Sequence, residues 1–253
     1  MKLFSSRQAG PRYIEEGEGE PIVLLYGLFG SVNNFRPLID HLKQTHRVIV
    51  PVFPFYDLGF CVDIFTLMNF MHEVTNELKL EKFHLLGNSM GGHIALLYTL
   101  EHPERVKTLT LSGSSGFYEH GMGDTYPRRR DYEYIKTKTE QTFYKPEVAT
   151  KELVDEIYAT VNSRKAIQII SLAKSTIRHN VEKELHKITQ PCCIIWGRQD
   201  TITPPEVADS FHRLIPHSEL HWIDACAHVP MLETPDAFNP LIDDFLKRHE
   251  LIT

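Results

Sequence analysis

Gly87-Asn88-Ser89-Met90-Gly91 reads G-x-S-x-G. It follows an apolar run, Phe83-His84-Leu85-Leu86, and opens into Gly92-His93-Ile94-Ala95-Leu96-Leu97-Tyr98, which has helical spacing of apolar residues. Strand, sharp turn and helix form the setting in which this motif presents a nucleophilic serine. The reason is steric. The serine must adopt a sparsely allowed backbone conformation so that its hydroxyl projects from the top of a sheet. Glycines two residues either side leave room for that turn, where a Cβ would collide with a neighbouring strand or helix. The next N–H, from Met90, then sits at a helix N-terminus, where partial positive charge favours an oxyanion.

A serine hydroxyl is a poor nucleophile at neutral pH and needs a histidine base, itself oriented by a carboxylate. Candidates for both lie downstream. Pro191-Cys192-Cys193-Ile194-Ile195-Trp196-Gly197 reads as a fully buried strand, followed by the polar loop Arg198-Gln199-Asp200-Thr201-Ile202-Thr203-Pro204. Glu219-Leu220-His221-Trp222-Ile223-Asp224 reads as another strand, followed by Ala225-Cys226-Ala227-His228-Val229-Pro230 and a helix from Pro235 to His249. Asp224 competes with Asp200 only through its closeness in sequence to His228; at a strand end it is expected to cap or to face water.

Together these segments resemble the α/β-hydrolase superfamily over nearly the whole chain. Leu85-Leu86-Gly87-Asn88-Ser89-Met90-Gly91-Gly92 is similar to its nucleophile segment and Trp196-Gly197-Arg198-Gln199-Asp200 to its acid segment. Ala227-His228-Val229-Pro230 with Glu233-Thr234-Pro235 is similar to its histidine segment. The resemblance implies a triad of Ser89, Asp200 and His228. Some members carry the acid after the strand that follows the elbow helix, but here Thr108-Leu109-Thr110-Leu111 runs into Ser112-Gly113-Ser114-Ser115-Gly116, which has no carboxylate. The resemblance also places the second oxyanion donor on Leu28, after Gly27 in Pro21-Ile22-Val23-Leu24-Leu25-Tyr26-Gly27-Leu28-Phe29-Gly30, beside the Met90 amide. Family members usually have His-Gly here; this chain has Tyr26-Gly27. A backbone donor survives that exchange, but the histidine that usually braces the loop is absent.

Apolar runs alternate with helical patterns along the chain. Strands are expected at Ile22 to Tyr26, Arg47 to Phe53, Phe83 to Leu86, Val106 to Leu111, Cys192 to Trp196 and Glu219 to Ile223, after a short β start and a charged glycine turn, Glu15-Glu16-Gly17-Glu18-Gly19-Glu20. The alternation predicts an α/β fold, a mostly parallel sheet with helices on both faces. Gly27, Ser89, Asp200 and His228 all follow strand ends, so they are expected to converge on one edge, where such sheets bind ligands. Residues 112–191 separate two strands by far more than an ordinary crossover. The stretch begins Phe117-Tyr118-Glu119-His120-Gly121-Met122-Gly123-Asp124, and helices are expected at Asp131 to Thr139, Lys151 to Val161, Arg164 to Lys174 and near Val181. The expected organisation is a core of 1–116 and 187–253. By the resemblance, 117–186 forms a helical cap that shapes the pocket. Ile157 and Val161 are expected to face inward, and Glu152 and Glu156 to face water.

The chain has 253 residues, a formal charge of −6 and 24% charged residues. This is ordinary for a soluble globular protein and argues against nucleic acid and against an anionic membrane surface. No signal-peptide pattern or membrane-length apolar run is visible, so a cytoplasmic location is expected. Cys61, Cys192, Cys193 and Cys226 lack metal spacing and read as reduced structural thiols. Fourteen histidines raise the question of a metal, but no H-E-x-x-H motif or Cys/His cluster occurs, so neither metal nor cofactor is expected. Arg128-Arg129-Arg130 reads as a solvated charge run. Asn33-Asn34-Phe35 reads as a helix cap, with a polar substrate contact at Asn34 as the alternative. Phe53, Phe55, Tyr56, Phe60 and Phe65 are core candidates, and some are expected to line a pocket.

The expected activity is that of a serine hydrolase acting on a small to medium carboxylic ester or related acyl substrate, with Gly27, Asn34 and Ile157 as substrate-contact candidates. The elbow Gly87-Asn88-Ser89-Met90-Gly91-Gly92 and Asn34-Phe35 also resemble the carbon–carbon bond hydrolases of ring-fission products. Those enzymes carry a cap arginine where this sequence has Ile157. A serine nucleophile disfavours dehalogenase and epoxide hydrolase chemistry, whose relatives carry aspartate there. A third reading is a receptor or signalling protein that retains the triad. Oligomeric state is left open.

Overall fold

The computed structural model describes residues 12–55, 62–117 and 128–250. The readings at Tyr56, Phe60, Cys61 and Tyr118 to Asp124 lie outside the described residues. Seven strands form one sheet in the order β1-β3-β2-β4-β5-β6-β7. They are β1 (Tyr13–Glu16), β2 (Glu20–Leu25), β3 (His46–Pro51), β4 (Phe83–Asn88), β5 (Val106–Ser112), β6 (Cys192–Gly197) and β7 (Ser218–Ile223). β1 is antiparallel to β3, and every other pairing is parallel. The alternation of the sequence explains this. Parallel strands need helical crossovers, which cover both faces of the sheet, so the strands are apolar throughout. Ile22 to Leu25 in β2 and all of β6 are buried.

The crossovers are α1 (Arg36–Leu42), α2 (Ile64–Glu77), α3 (Met90–Glu101) and α7 (Pro205–Leu214). A short α8 (Pro230–Glu233) and the terminal α9 (Pro235–Glu250) close the core. Asp63 caps α2, accepting the Thr66 N–H at 2.8 Å. Strand order reverses between β2 and β4, the usual place for a ligand crevice in such sheets. Among the described residues no helix is long and apolar enough to cross a membrane.

Between β5 and β6 lie α4 (Tyr132–Glu140), α5 (Lys151–Val161) and α6 (Ala166–Arg178). α4 and α5 begin at side-chain caps, Asp131 and Thr150. The helix expected from Arg164 instead starts at Ala166 and runs four residues past Lys174, and the turn expected near Val181 is a 3-10 helix over Glu182–Lys187. The insertion is pinned to the core. Val181 N–H donates to Gly116 O at 2.9 Å, and Ser175 Oγ accepts the Ile64 N–H at the start of α2. His93 of α3 donates from Nε2 to His179 O at 2.8 Å.

His93 and His84 are both buried, and burial holds each imidazole down to about 4. An unfolded histidine titrates near 6.5, so between these values the unfolded chain binds more protons. Their stabilising neutrality is fully present above pH 6.5 and is lost as pH falls through the folded values. The expected loss is about 3 kcal/mol per imidazole by pH 4. Urea midpoints should therefore decline steadily from pH 7 to pH 4.5; a flat profile would contradict this reading of the two sites.

Candidate active site

Ser89 joins β4 to α3 with φ 56 and ψ −125, outside the regions a serine normally occupies. The glycines around it explain how that is possible. A Cβ on Gly91 would lie 2.0 Å from Leu25 O, and one on Gly87 2.4 Å from Gly91 O. The backbone of α3 thus rests directly on β2 and β4. A Cβ on Gly27 would lie 2.7 Å from Ser89 Cβ, so this glycine opens the space above the serine. Ser112 O accepts the Ser89 N–H and Ser89 O accepts the Ser115 N–H, each at 3.1 Å, which holds the turn against β5.

Asp200 and His228 come from the loops after β6 and β7. His228 Nδ1 lies 2.8 Å from Asp200 Oδ2, with both side chains buried. Asp200 Oδ1 accepts the N–H groups of Ile202 and Thr203 at 2.8 and 3.0 Å, and Oδ2 accepts the Thr203 hydroxyl at 2.8 Å. These bonds fix the plane of the carboxyl. Facing a carboxylate, Nδ1 is the protonated nitrogen, which leaves the lone pair on Nε2. Asp224 is elsewhere: its side chain is 83% exposed and pairs with Arg198.

Three positions around His228 were given no role from sequence. Asn88, buried beside Ser89, donates from Nδ2 to both Ser112 O and His228 O at 2.9 Å. Gly113 has φ +52, and a Cβ there would lie 2.8 Å from His228 O and 3.0 Å from His228 Nδ1. Glu233 accepts the amides on both sides of the histidine, from Ala227 at 3.1 Å and Val229 at 3.4 Å. Its other oxygen accepts the Tyr144 N–H at 2.7 Å. Burial pushes this carboxyl up, although those amides partly offset it. The His228 N–H donates to Thr142 O at 3.1 Å. Thr142 and Tyr144 follow α4, so the inserted segment grips the loop that carries the histidine. Only motif membership marked Asn88 and Glu233; their bonds to main chain distant in sequence leave no local pattern.

Tyr26, at the place of the usual histidine, supplies a different brace. It is buried, and its hydroxyl accepts the Phe53 N–H at 2.8 Å. Its ring meets Phe53 and Phe55 edge-on at 5.4 and 5.8 Å. The loop itself closes through Gly30 N–H to Gly27 O at 3.0 Å. Asn34 completes a capping box: its Oδ1 accepts the Ser31 N–H at 2.8 Å.

One cavity of about 440 Å³ gathers these groups. Gly27, Leu28 and Asn34 form one wall, with Asn88, Ser89 and His228 beside them. Ile135, Lys138, Thr142 and Phe143 from α4 and its loop, and Leu153 and Ile157 from α5, line the cavity as well. The volume suits a small-molecule ligand. Ser89 and His228 both line the cavity, and no hydrogen bond joins them directly; such contacts can be long in the free form of a site. Met90 heads α3, which puts its N–H at the helix N-terminus beside Ser89, but it is not among the residues that line the cavity. Glu152 and Glu156 are exposed as expected. Val161 is buried but lies outside the lining, so Ile157 alone of that expected pair reaches the cavity.

Cys192, Cys193 and Cys226 are buried free thiols, and burial raises all three, Cys226 to about 12. Ligand atoms of Cys193, Glu219 and His221 lie within 4.8 Å of one another on β6 and β7. Sequence spacing gave no sign of this, because strand pairing creates it. Glu219 already accepts two bonds from Arg248, at 2.7 and 2.9 Å, and faces His221 Nε2 at 3.0 Å. The cluster is a satisfied ion-pair network away from the cavity.

The sheet, elbow and cavity can be set beside known proteins. A family model for the alpha/beta hydrolase fold matches residues 20–134. MGS-MChE2, an alpha/beta hydrolase enzyme from the metagenome of lagoon sediments at Mar Chica, Morocco, is 38% identical, with a TM-score of 0.78 over 94% of this chain and 95% of that one. The chain belongs to the α/β-hydrolase family and is an enzyme of that class. Lipase 1 of Psychrobacter immobilis is 27% identical over 243 residues, 88% of this chain and 76% of the lipase. The 2-hydroxy-6-oxononadienedioate/2-hydroxy-6-oxononatrienedioate hydrolase of Comamonas testosteroni is 27% identical over 260 residues, 92% of this chain and 89% of that protein.

Gly113 offers a test of the packing around His228. Gly113→Ala combines a strained φ with a Cβ in contact with His228, so the imidazole should be displaced while the core stays folded. Under a mechanism that uses His228, turnover should fall by up to about 10²-fold, the cost of a misplacement of about 1 Å. Unchanged turnover in a folded variant would show that the histidine tolerates the shift.

Proposed function

We propose that this chain is a serine hydrolase that cleaves a small to medium carboxylic ester or related acyl compound through an acyl-enzyme. The observation that carries this reading is the buried Asp200–His228 pair opening onto the cavity that holds Ser89 in its strained turn. Ser89 Oγ attacks the carbonyl, and its proton passes to His228 Nε2. Asp200 holds the ring and balances the imidazolium. The Leu28 and Met90 amides receive the oxyanion, each contributing roughly 3–4 kcal/mol of transition-state stabilisation. His228 then protonates the leaving group as the bond to it breaks, which leaves the acyl group on Ser89; a water deprotonated by His228 attacks that ester, and the acid departs as Ser89 recovers its proton. Every step uses this chain's own groups.

The segment 117–186 acts in this reading as a cap. Its inner side, with Ile135, Leu153 and Ile157, provides the apolar wall against which an acyl chain packs. Asn34 offers its remaining amide hydrogens to the substrate. A second reading, the carbon–carbon bond hydrolase, has the Comamonas relative in its favour. Against it, the cavity lining contains Ile157 where such an enzyme would carry arginine, and no arginine among the described residues lines the cavity. Turnover of aryl esters without turnover of a ring-fission dienoate separates the two. Absence of turnover with retained ligand binding would favour the receptor reading.

Ser89 should be labelled by a fluorophosphonate probe, and Ser89→Ala should not; labelling that survives in the variant would remove Ser89 from the mechanism. Asp200→Asn should cut kcat by about 10⁴-fold, because the imidazole loses its orientation and charge partner. Asp224→Asn should leave kcat essentially unchanged, and the reverse ranking would reassign the acid.

Ile157→Trp tests the cap wall. It should reduce kcat/KM for long acyl chains much more than for acetyl, since only the longer groups need that space. Equal losses at every chain length, in a variant with an unchanged melting curve, would place the acyl site elsewhere.

A further inference from the structure

α6 has two apolar faces. Ala166, Ile169, Leu172, Ala173 and Thr176 are buried, as expected for a helix packed on α2 and α5. The opposite face carries Ile167, Ile170, Lys174, Ile177 and Arg178, at the three- and four-residue spacing of a single stripe. Ile167 is 49% exposed and Ile177 64%, two of the three most exposed large apolar side chains among the described residues. Single exposed isoleucines are ordinary. Two on one helical face, flanked by cations, need an explanation.

The charge along α6 has one sign. No Asp or Glu occurs between Glu156 and Glu182, whereas Arg164, Lys165, Lys174 and Arg178 all lie there. The neighbouring turn adds to it. Arg128, Arg129 and Arg130 are all exposed, and their main chain is tied to the end of α5. Asn162 donates from Nδ2 to Arg129 O at 2.6 Å, and the Tyr158 hydroxyl donates to Arg130 O at 3.2 Å. Those bonds set the arginine run beside the start of α6. Among the described residues, Arg129, Arg130, Arg164, Lys174 and Arg178 form no ion pair. Exposed Asp131 and Glu133 follow the arginine turn, but α6 itself and the turn before them keep an excess of cations that the net charge of −6 hides.

We propose that the outer face of α6, with the Arg128–Arg130 turn, docks on an anionic phospholipid surface. The complementarity is twofold. Arginine and lysine heads meet lipid phosphates, and the isoleucines enter the boundary between headgroups and acyl chains. A water-facing role would leave the isoleucines unexplained, and a neutral apolar partner would leave the cations unexplained. The docking does not depend on the chemistry proposed for Ser89.

The test is co-sedimentation of the full chain with vesicles of phosphatidylcholine alone and of phosphatidylcholine with phosphatidylglycerol. The chain should sediment with the mixed vesicles at low salt, release as salt rises, and ignore the neutral vesicles. Arg164→Gln, Lys174→Gln and Arg178→Gln should each weaken binding roughly five-fold. Ile167→Ser with Ile177→Ser should weaken it without changing its salt dependence. Far-UV dichroism and a melting curve would show that each variant is folded. No binding to mixed vesicles at low salt, equal binding to neutral ones, or full binding by all the variants would each overturn the proposal. So would retention on soluble polyglutamate without vesicle binding, which would assign the face to an acidic protein.

Discussion

The site depends on how closely α3 approaches β2 and β4. Ser89 at φ 56 is tolerable only because Gly87 and Gly91 let the helix backbone touch the strands, and because Gly27 clears the volume above the serine. Positive φ at a non-glycine residue costs on the order of 1–3 kcal/mol, and it persists where the surroundings over-determine it. Here they do. The Ser89 main chain is bonded to Ser112 and Ser115, and Gly92 and His93 bond back to Ser89 O. The strand-order reversal between β2 and β4 puts this strained point at the sheet's natural crevice.

The histidine loop is the second junction, and it joins three parts of the molecule. Asn88 ties it to the elbow, Asp200 to the end of β6, and Glu233 with Thr142 O to the segment after α4. The insertion that walls the cavity is therefore bonded to the backbone that carries the imidazole. A shift of that segment would alter cavity shape and His228 position together. Under the proposed mechanism, this would couple selectivity to turnover.

The parts legible in the sequence were those with local signatures. Buried strands read as apolar runs, and their predicted bounds lie within about two residues of the observed ones, which is the usual limit for such boundaries. The helix expected over Lys151 to Val161 has the limits of α5, whose apolar spacing is strong and which Thr150 caps in the structure. The order of Ser89, Asp200 and His228, each after a strand, was visible for the same reason. The less legible parts depend on contacts between distant residues. Tyr26 looked like the loss of a brace, yet its hydroxyl reaches Phe53 across the sheet edge. The Cys193–Glu219–His221 cluster exists only through strand pairing. Val161 has an inward phase on its helix but buries itself against protein instead of the cavity, a distinction that periodicity does not encode.

In the proposed mechanism Ser89 carries the acyl group between the two half-reactions. Acid quenching of the enzyme during turnover of an aryl acetate, followed by intact-mass measurement and peptide mapping, addresses it directly. One added acetyl group per chain is expected, on the peptide that holds Ser89, with a larger trapped fraction when deacylation is slow. Sustained turnover with no acetylated chain, or with the acetyl group on any other residue, would contradict it.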